Sequence, residues 1–290
     1  MLCVALMSWA HAWAQAPAPS TDLRARFEAA RAQSVRNPFD RPVYLQSTEA
    51  SDQLQGDVFA LIDQPYATVR QALSRPGSWC GILILHLNVK YCRASSTGGR
   101  ELLDTGVGRK FDQPLNDVYW VRFEHRVVRA TDEQLQVTLQ APSGPLGTRD
   151  YRILVEAAPA GERQSVLHMT YAYGFGFAAR IAMQAYLATV GSDKVGFSTV
   201  GPRGTGRPAY IGGLRGVLER NTMRYYLAIE AHLAASGLPA AQQMPKSLRD
   251  WFDATERYPE QLHEIERDAY LEMKQHELQR QETTAPPAPK

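Results

Sequence analysis

The chemistry open to this chain lies in scattered side chains, not in a motif. The sequence has no G-x-S-x-G nucleophile turn, no H-E-x-x-H zinc helix, no Walker loop and no Rossmann fingerprint. No catalytic residue, cofactor or metal is assigned on these grounds. Gly204-Thr205-Gly206 follows no strand that would give it a phosphate-binding setting, so it reads as a connection or a pocket lid. The side chains that remain are suited to holding a ligand. His86 sits in the apolar run Ile82 to Leu87, either as a polar contact at a pocket wall or as a core histidine bonded to backbone. His125 shares a strand face with Tyr119, Val121 and Phe123. If that face points inward, His125 can meet a ligand carboxylate or hydroxyl; otherwise it is a rim or structural histidine. Arg122 falls on the opposite face, toward water.

Tyr171 and Tyr173 alternate with Leu167 and Met169 along one strand face and read as lining, since a tyrosine gives an apolar body and one orienting hydroxyl. Leu139 belongs to the same apolar face from another strand. Asn221 and Tyr225 fall on the sheet-facing stripe of a long helix, and a buried Asn must find a strand group or a ligand head as partner. The expected ligand-binding set is therefore His86, Tyr119, Phe123, His125, Leu139, Met169, Tyr171, Tyr173, Asn221 and Tyr225.

These residues need elements to position them. Thr21 to Gln33 has the pattern of a short surface helix, and Pro38 and Pro42 lead into extended chain. Residues 43–62 read as strand material broken near Ser51 and Asp52. Leu54, Val58, Ala60 and Ile62 form one face of its second half, and Gly56 marks a bulge or a close backbone approach. A short helix is predicted over Asp63 to Ser74, stopped by Arg75-Pro76-Gly77. Trp79 to Leu87 fits helix or strand, and we read a helix passing into a strand at Asn88. Strands are then expected over 87–95, 100–110, 118–130, 134–141, 149–157 and 165–174, with Gly, Pro and Asp turns between them. Their shared apolar face must be covered. Ala178 to Val190 is helical in pattern, seven glycines follow between Gly191 and Gly213, and Leu214 to Ala235 is the longest helix of the domain. Residues 247–280 read as a charged helix or pair of helices, broken near Pro259.

The first sixteen residues carry no charged side chain and hold an apolar run from Leu2 to Met7. Ala12 and Ala14 fit an A-x-A cleavage site, so residues 1–14 are read as a secretory signal, although no basic residue opens it. Cys3 would leave with it. Cys80 and Cys92 then remain, an even count in an oxidising compartment, and are expected to pair, a zinc site being the alternative. A net charge of +2 argues against a nucleic-acid binder. Residues 247–290 hold ten acidic and six basic side chains against a mildly basic remainder, which permits the tail to dock on the domain. Trp251, Phe252, Tyr258, Leu262, Ile265 and Met273 form a stripe that either packs on this domain or takes up a protein partner.

The stretch Gly56-Asp57-Val58-Phe59-Ala60-Leu61-Ile62-Asp63-Gln64-Pro65-Tyr66 resembles the opening of START-like (SRPBCC superfamily) domains. The block from Trp79 to Cys92 is similar to an exported bacterial branch of them. The likeness spans roughly residues 54–236. It implies an α+β helix-grip fold, in which a curved antiparallel sheet is closed by a long C-terminal helix over an apolar cavity, here with an extra helical tail. The expected organisation is a signal at 1–14, an extension at 15–42, a START-like domain at 43–238, a charged helical tail at 239–282 and a disordered end at 283–290. The implied function is binding of a lipid or other hydrophobic small molecule, outside the cytosol, for carriage or sequestration. The alternative is a hydrolase or cyclase of the same fold acting on a lipid or polyketide-like substrate. Transient membrane contact and a protein partner on the tail are further partner options; nucleic acid is not.

Overall fold

The computed structural model describes residues 22–33, 37–177, 179–181, 183–184, 194–202, 208–284 and 286. The expected signal segment, the helix over 178–190, much of the Gly-rich run and the extreme C-terminus lie outside the described residues or only partly within them. The elements are α1 (Leu23–Gln33), β1 (Val43–Glu49), β2 (Gln53–Ile62), α2 (Tyr66–Leu73), α3 (Pro76–Leu83), β3 (Val89–Thr97), β4 (Arg100–Val107), β5 (Tyr119–Ala130), β6 (Leu135–Ser143), β7 (Thr148–Pro159), β8 (Ser165–Phe175), β9 (Thr199–Pro202), β10 (Pro208–Tyr210), α4 (Gly213–Ala235), α5 (Ala240–Thr255), α6 (Pro259–Leu262) and α7 (Arg267–Thr283).

Eight strands form one antiparallel sheet in the order β1-β2-β8-β7-β6-β5-β4-β3, and α4 lies across its inner face. This is the expected helix-grip arrangement. The strand material expected over 43–62, broken near Ser51 and Asp52, forms two strands, and β1 hairpins onto β2 as the eighth strand of the sheet. Register shifts at Val89/Tyr91, Val127/Arg129 and Arg149/Arg152 interrupt the ladders and bend the sheet, as bulges do.

Gly56 settles how α4 meets the sheet. The β1–β2–β8 register runs through it without a shift, so it is no bulge. A Cβ at that position would collide with the Thr222 side chain of α4. Thr222 in turn donates to the Leu218 carbonyl one turn back, 2.8 Å away, which satisfies its hydroxyl where helix and strand touch.

The outer face of the sheet is covered too. Asp22 accepts the N–H groups of Arg24 and Ala25 at 3.1 and 3.2 Å and so caps α1. Leu23, Phe27 and Ala30 of α1 then pack on Tyr44, Phe59, Ala158 and Val166. β8 is buried at every position: its odd-numbered residues join the main core, and Val166 on its other face packs with α1. Beneath α1, His168 lies between Glu156 and Asp57, 2.9 Å from each, and stacks on Phe59. Arg26 reaches Glu156 at 2.5 Å, and Thr170 donates to Asp57 at 2.6 Å.

The tail joins the same core. Its helix starts at Ala240, earlier than expected, with Pro245 inside it, and the break runs from the end of α5 through α6 to the start of α7. Trp251, Phe252, Leu262 and Met273 are buried among the main-domain residues, so the apolar stripe packs on its own domain. Trp251 Nε1 donates to the Arg224 carbonyl of α4 at 3.0 Å. α7 covers the edge strand β3: Gln281 accepts the Cys92 N–H at 2.5 Å, and Tyr270 donates to the Leu85 carbonyl at 2.9 Å. Between α7 and β3, the fully buried Lys90 and Lys274 share the two oxygens of Glu277 at 2.9 and 2.8 Å. Lys274 also donates to the carbonyls of His86 and Val89, and Lys90 to the Leu87 carbonyl and the Met273 sulfur. The expected disulfide is present: Cys80 of α3 bonds Cys92 of β3, with Cα atoms 5.1 Å apart. Closing so short a loop is worth roughly 3 kcal/mol in the chain-entropy model. Among the described residues, no helix is long and apolar enough to cross a membrane.

Removing one partner of a buried ionic cluster leaves the others uncompensated. Glu277→Gln is therefore expected to lower stability by about 3–5 kcal/mol, read from the midpoint of urea unfolding at constant slope. The His168 cluster has its own pH signature. Burial lowers the imidazole's affinity for its proton, but the bonds to Asp57 and Glu156 outweigh it and raise the pKa above the ordinary histidine value. Its contribution is therefore complete below about pH 6.5 and lost as pH rises through the raised native value. The stability gap between wild type and His168→Gln should be widest in mild acid and narrow toward alkaline pH, as followed by thermal unfolding.

Candidate functional site

Between the inner sheet face and α4 lies a cavity of about 770 Å³. This is the size range of pockets that take a small organic ligand. The sheet supplies Val121 and Phe123 from β5, Tyr151 from β7 and Tyr171 and Tyr173 from β8, while α4 supplies Val217, Asn221 and Tyr225. Strand alternation puts the five sheet residues on one side, and the four-residue step from Asn221 to Tyr225 puts both on one face of the helix. The aromatic rings are mutually packed. Tyr151 stacks on Tyr173 with centroids 5.3 Å apart, and Tyr171 lies 5.1 Å from Tyr225. Tyr151 shares a 2.7 Å hydrogen bond with Thr148. Burial pushes the Tyr151 phenol up to about 12 and carries those of Tyr171, Tyr173 and Tyr225 higher still. All four remain protonated near neutral pH and offer donors, not bases.

His86 enters the wall where α3 gives way to β3. Its ring stacks on Tyr225 at 4.8 Å, and its Nδ1 accepts the Asn88 N–H at 3.1 Å. That bond leaves the ring proton on Nε2, which is buried and has no hydrogen-bond partner in bonding geometry; Asn221 is the side chain turned toward it. Burial, with Arg224 and Lys274 adding to it, drives the His86 pKa well down, so the ring is neutral. Asn88 donates to the Gly108 carbonyl at 2.6 Å and ties this corner to the end of β4.

One end of the cavity is ionic. Glu264, between α6 and α7, receives Lys110 at 2.7 Å and Arg224 at 2.7 Å on Oε1 and Lys194 at 3.3 Å on Oε2. Burial raises the Glu264 carboxyl, but Arg224, Lys110 and Lys194 together overcome this and hold it at about 2. The mouth is apolar. Phe111, Tyr119 and Leu146 line it and are among the exposed large hydrophobic residues, and Arg109 stands over the Phe111 ring at 5.7 Å.

Of the residues expected from the sequence, the cavity brings together His86, Tyr119, Phe123, Tyr171, Tyr173, Asn221 and Tyr225. His125, Leu139 and Met169 share the inward face but lie beyond the cavity, in the packed core. His125 sits against the Leu73 backbone at the end of α2, and burial lowers its pKa. Sequence reasoning missed Tyr151, Lys110, Lys194 and Glu264. Tyr151 was within reach, because it alternates with Ile153 and Val155 on the inward face. Nothing local marks the other three, which lie in connections between elements. Among the described residues no group of histidine, cysteine or carboxylate side chains is placed to hold a metal.

The chain matches no protein-family model and no curated protein by sequence. Solved structures resemble it at low identity. Norcoclaurine synthase from Thalictrum flavum, in complex with dopamine and hydroxybenzaldehyde, is 15% identical over 52% of this chain and 80% of its own, with a TM-score of 0.34. A protein from Thermus thermophilus is 10% identical over 63% of this chain and 99% of its own, with a TM-score of 0.40. An aromatase/cyclase from a Streptomyces species is 9% identical over 48% of this chain and 87% of its own, with a TM-score of 0.33.

A carboxylate held low in the folded state stabilises it above the unfolded value and ceases to as pH falls through the native value. The contribution of Glu264 is thus present above about pH 4.3 and disappears toward pH 2. Wild type should lose stability across that window, while Glu264→Gln should be weaker at neutral pH and show a flatter acid limb in denaturant titrations.

Proposed function

We propose that this protein binds a hydrophobic small molecule or lipid in the cavity between sheet and α4, for carriage or sequestration. The observation that carries the reading is the cavity itself: about 770 Å³, walled by Tyr151, Tyr171, Tyr173 and Tyr225, beside inward residues such as Leu139, Val155 and Met169 that are fully buried. Native cores are close-packed, so a space of this size is kept for an occupant. The energetics suffice without covalent chemistry. At about 0.8 kcal/mol per methylene, ten methylenes supply roughly 8 kcal/mol before ordering costs, which corresponds to micromolar binding. The phenol hydroxyls of Tyr171, Tyr173 and Tyr225 add orientation, because each sits at the end of an apolar ring. The exposed Phe111, Tyr119 and Leu146 form an apolar lip through which such a ligand enters. Export fits the same reading, supported by the Cys80–Cys92 bond and by the apolar, uncharged N-terminal residues.

Delipidated protein should take up a fluorescent fatty acid or sterol at one molecule per chain. Val217→Trp, which places an indole in the cavity, should weaken that uptake at least about tenfold with the far-UV circular dichroism retained. Absence of uptake by wild type, or unchanged uptake by the filled variant, would overturn the assignment.

A further inference from the structure

We infer that the ligand is an anionic amphiphile, with a carboxylate or phosphate head seated against Lys110, Lys194 and His86 and an apolar body among the tyrosines. This rests on the reading of the cavity as a binding site and specifies its occupant. The argument is a count of donors and acceptors at the ionic end. Three cations, Lys110, Lys194 and Arg224, converge there on one carboxylate, and both oxygens of Glu264 are already engaged. Lys110 and Lys194 line the cavity and are only 28% and 31% exposed, so their charges are partly withdrawn from water, with Glu264 as their shared carboxylate among the described residues. Each ammonium has three N–H donors; Lys110 meets Glu264, and Lys194 meets Glu264 and the His263 carbonyl at 3.1 Å. Donors are therefore in excess.

An independent observation points the same way. His86 is 2% exposed, its Nδ1 accepts from the Asn88 backbone, and its Nε2–H has no partner in bonding geometry. A buried ring donor on a cavity wall that only Asn221 faces, out of line, can take a better-placed acceptor. The residue turned toward it, Asn221, is also on the cavity wall, as are the two lysines. A head group bearing two or more acceptor oxygens and a negative charge meets this set, whereas a neutral alcohol supplies one weak acceptor and no charge. The apolar side of the same cavity, Phe123, Tyr171 and Tyr225, sets where the body lies.

The test compares hexadecanoate, hexadecyl phosphate and hexadecanol by displacement of a neutral fluorescent lipid from delipidated full-length protein. The acids should bind about tenfold or more tighter than the alcohol, the margin expected of charge-assisted hydrogen bonds. The better of the two acids identifies the head group. In the double variant Lys110→Gln/Lys194→Gln that ratio should fall to about one, and in Lys110→Arg/Lys194→Arg it should return. Circular dichroism and the unfolding midpoint establish that each variant is folded. Equal binding of acid and alcohol by wild type would overturn this inference and leave the cavity reading standing. Failure of all three ligands to displace the probe, or of the probe to bind, would overturn the cavity reading itself. An acid preference that survives intact in the folded glutamine variant would overturn the placement of the head group.

Discussion

The inner face of an eight-stranded sheet is wider than one helix can cover, and the rest of this molecule answers to that mismatch. Strands about 4.8 Å apart give a face roughly 34 Å across, while a helix with its side chains is about 10 Å thick. Helix α4 is pressed onto one side of the face, near β2, where Gly56 admits Thr222. Helices α2 and α3 fill the region around His125 and Leu83. Among the described residues, the span between them has no long helix packed into it. Tyrosine rings line it, loops roof it, and the tail closes its ionic end through Glu264.

Two buried carboxylates hold the tail in that position. Glu277 takes Lys90 and Lys274, and Glu264 takes Lys110, Lys194 and Arg224. In each case one anion gathers cations from elements far apart in sequence, so the tail cannot shift without exposing several charges to an apolar setting at once. The disulfide reinforces the same corner, because Cys92 lies two residues beyond Lys90 and its backbone N–H is held by Gln281 of α7.

Much of this was legible in the sequence, and the limits have physical causes. Strand alternation marked the inner face from Leu54 to Tyr173, and the three- and four-residue steps of α4 marked the side facing it. Alternation reports which side of a sheet a residue is on, not how far along the strand the covering helix reaches. That is why His125, Leu139 and Met169 share a face with Tyr171 yet lie in packed core, while Tyr119, at the strand's start, reaches the cavity mouth. The extra strand β1 was visible as extended chain but not as a pairing partner, since pairing is a property of the neighbour. Lys110, Lys194 and Glu264 come from three separate connections and meet only through tertiary folding, and no local pattern anticipates that.

The position of Glu264 in the chain has a consequence for how the protein is made. Residues emerge from the ribosome, or from an export channel, in order, and sheet and α4 precede Glu264 in that order. The walls of the cavity can thus assemble while its ionic end is still missing, with Arg224, Lys110 and Lys194 awaiting their carboxylate. The pocket is complete only when the tail follows, which makes its emergence from ribosome or channel the event that separates an open trough from a closed vessel.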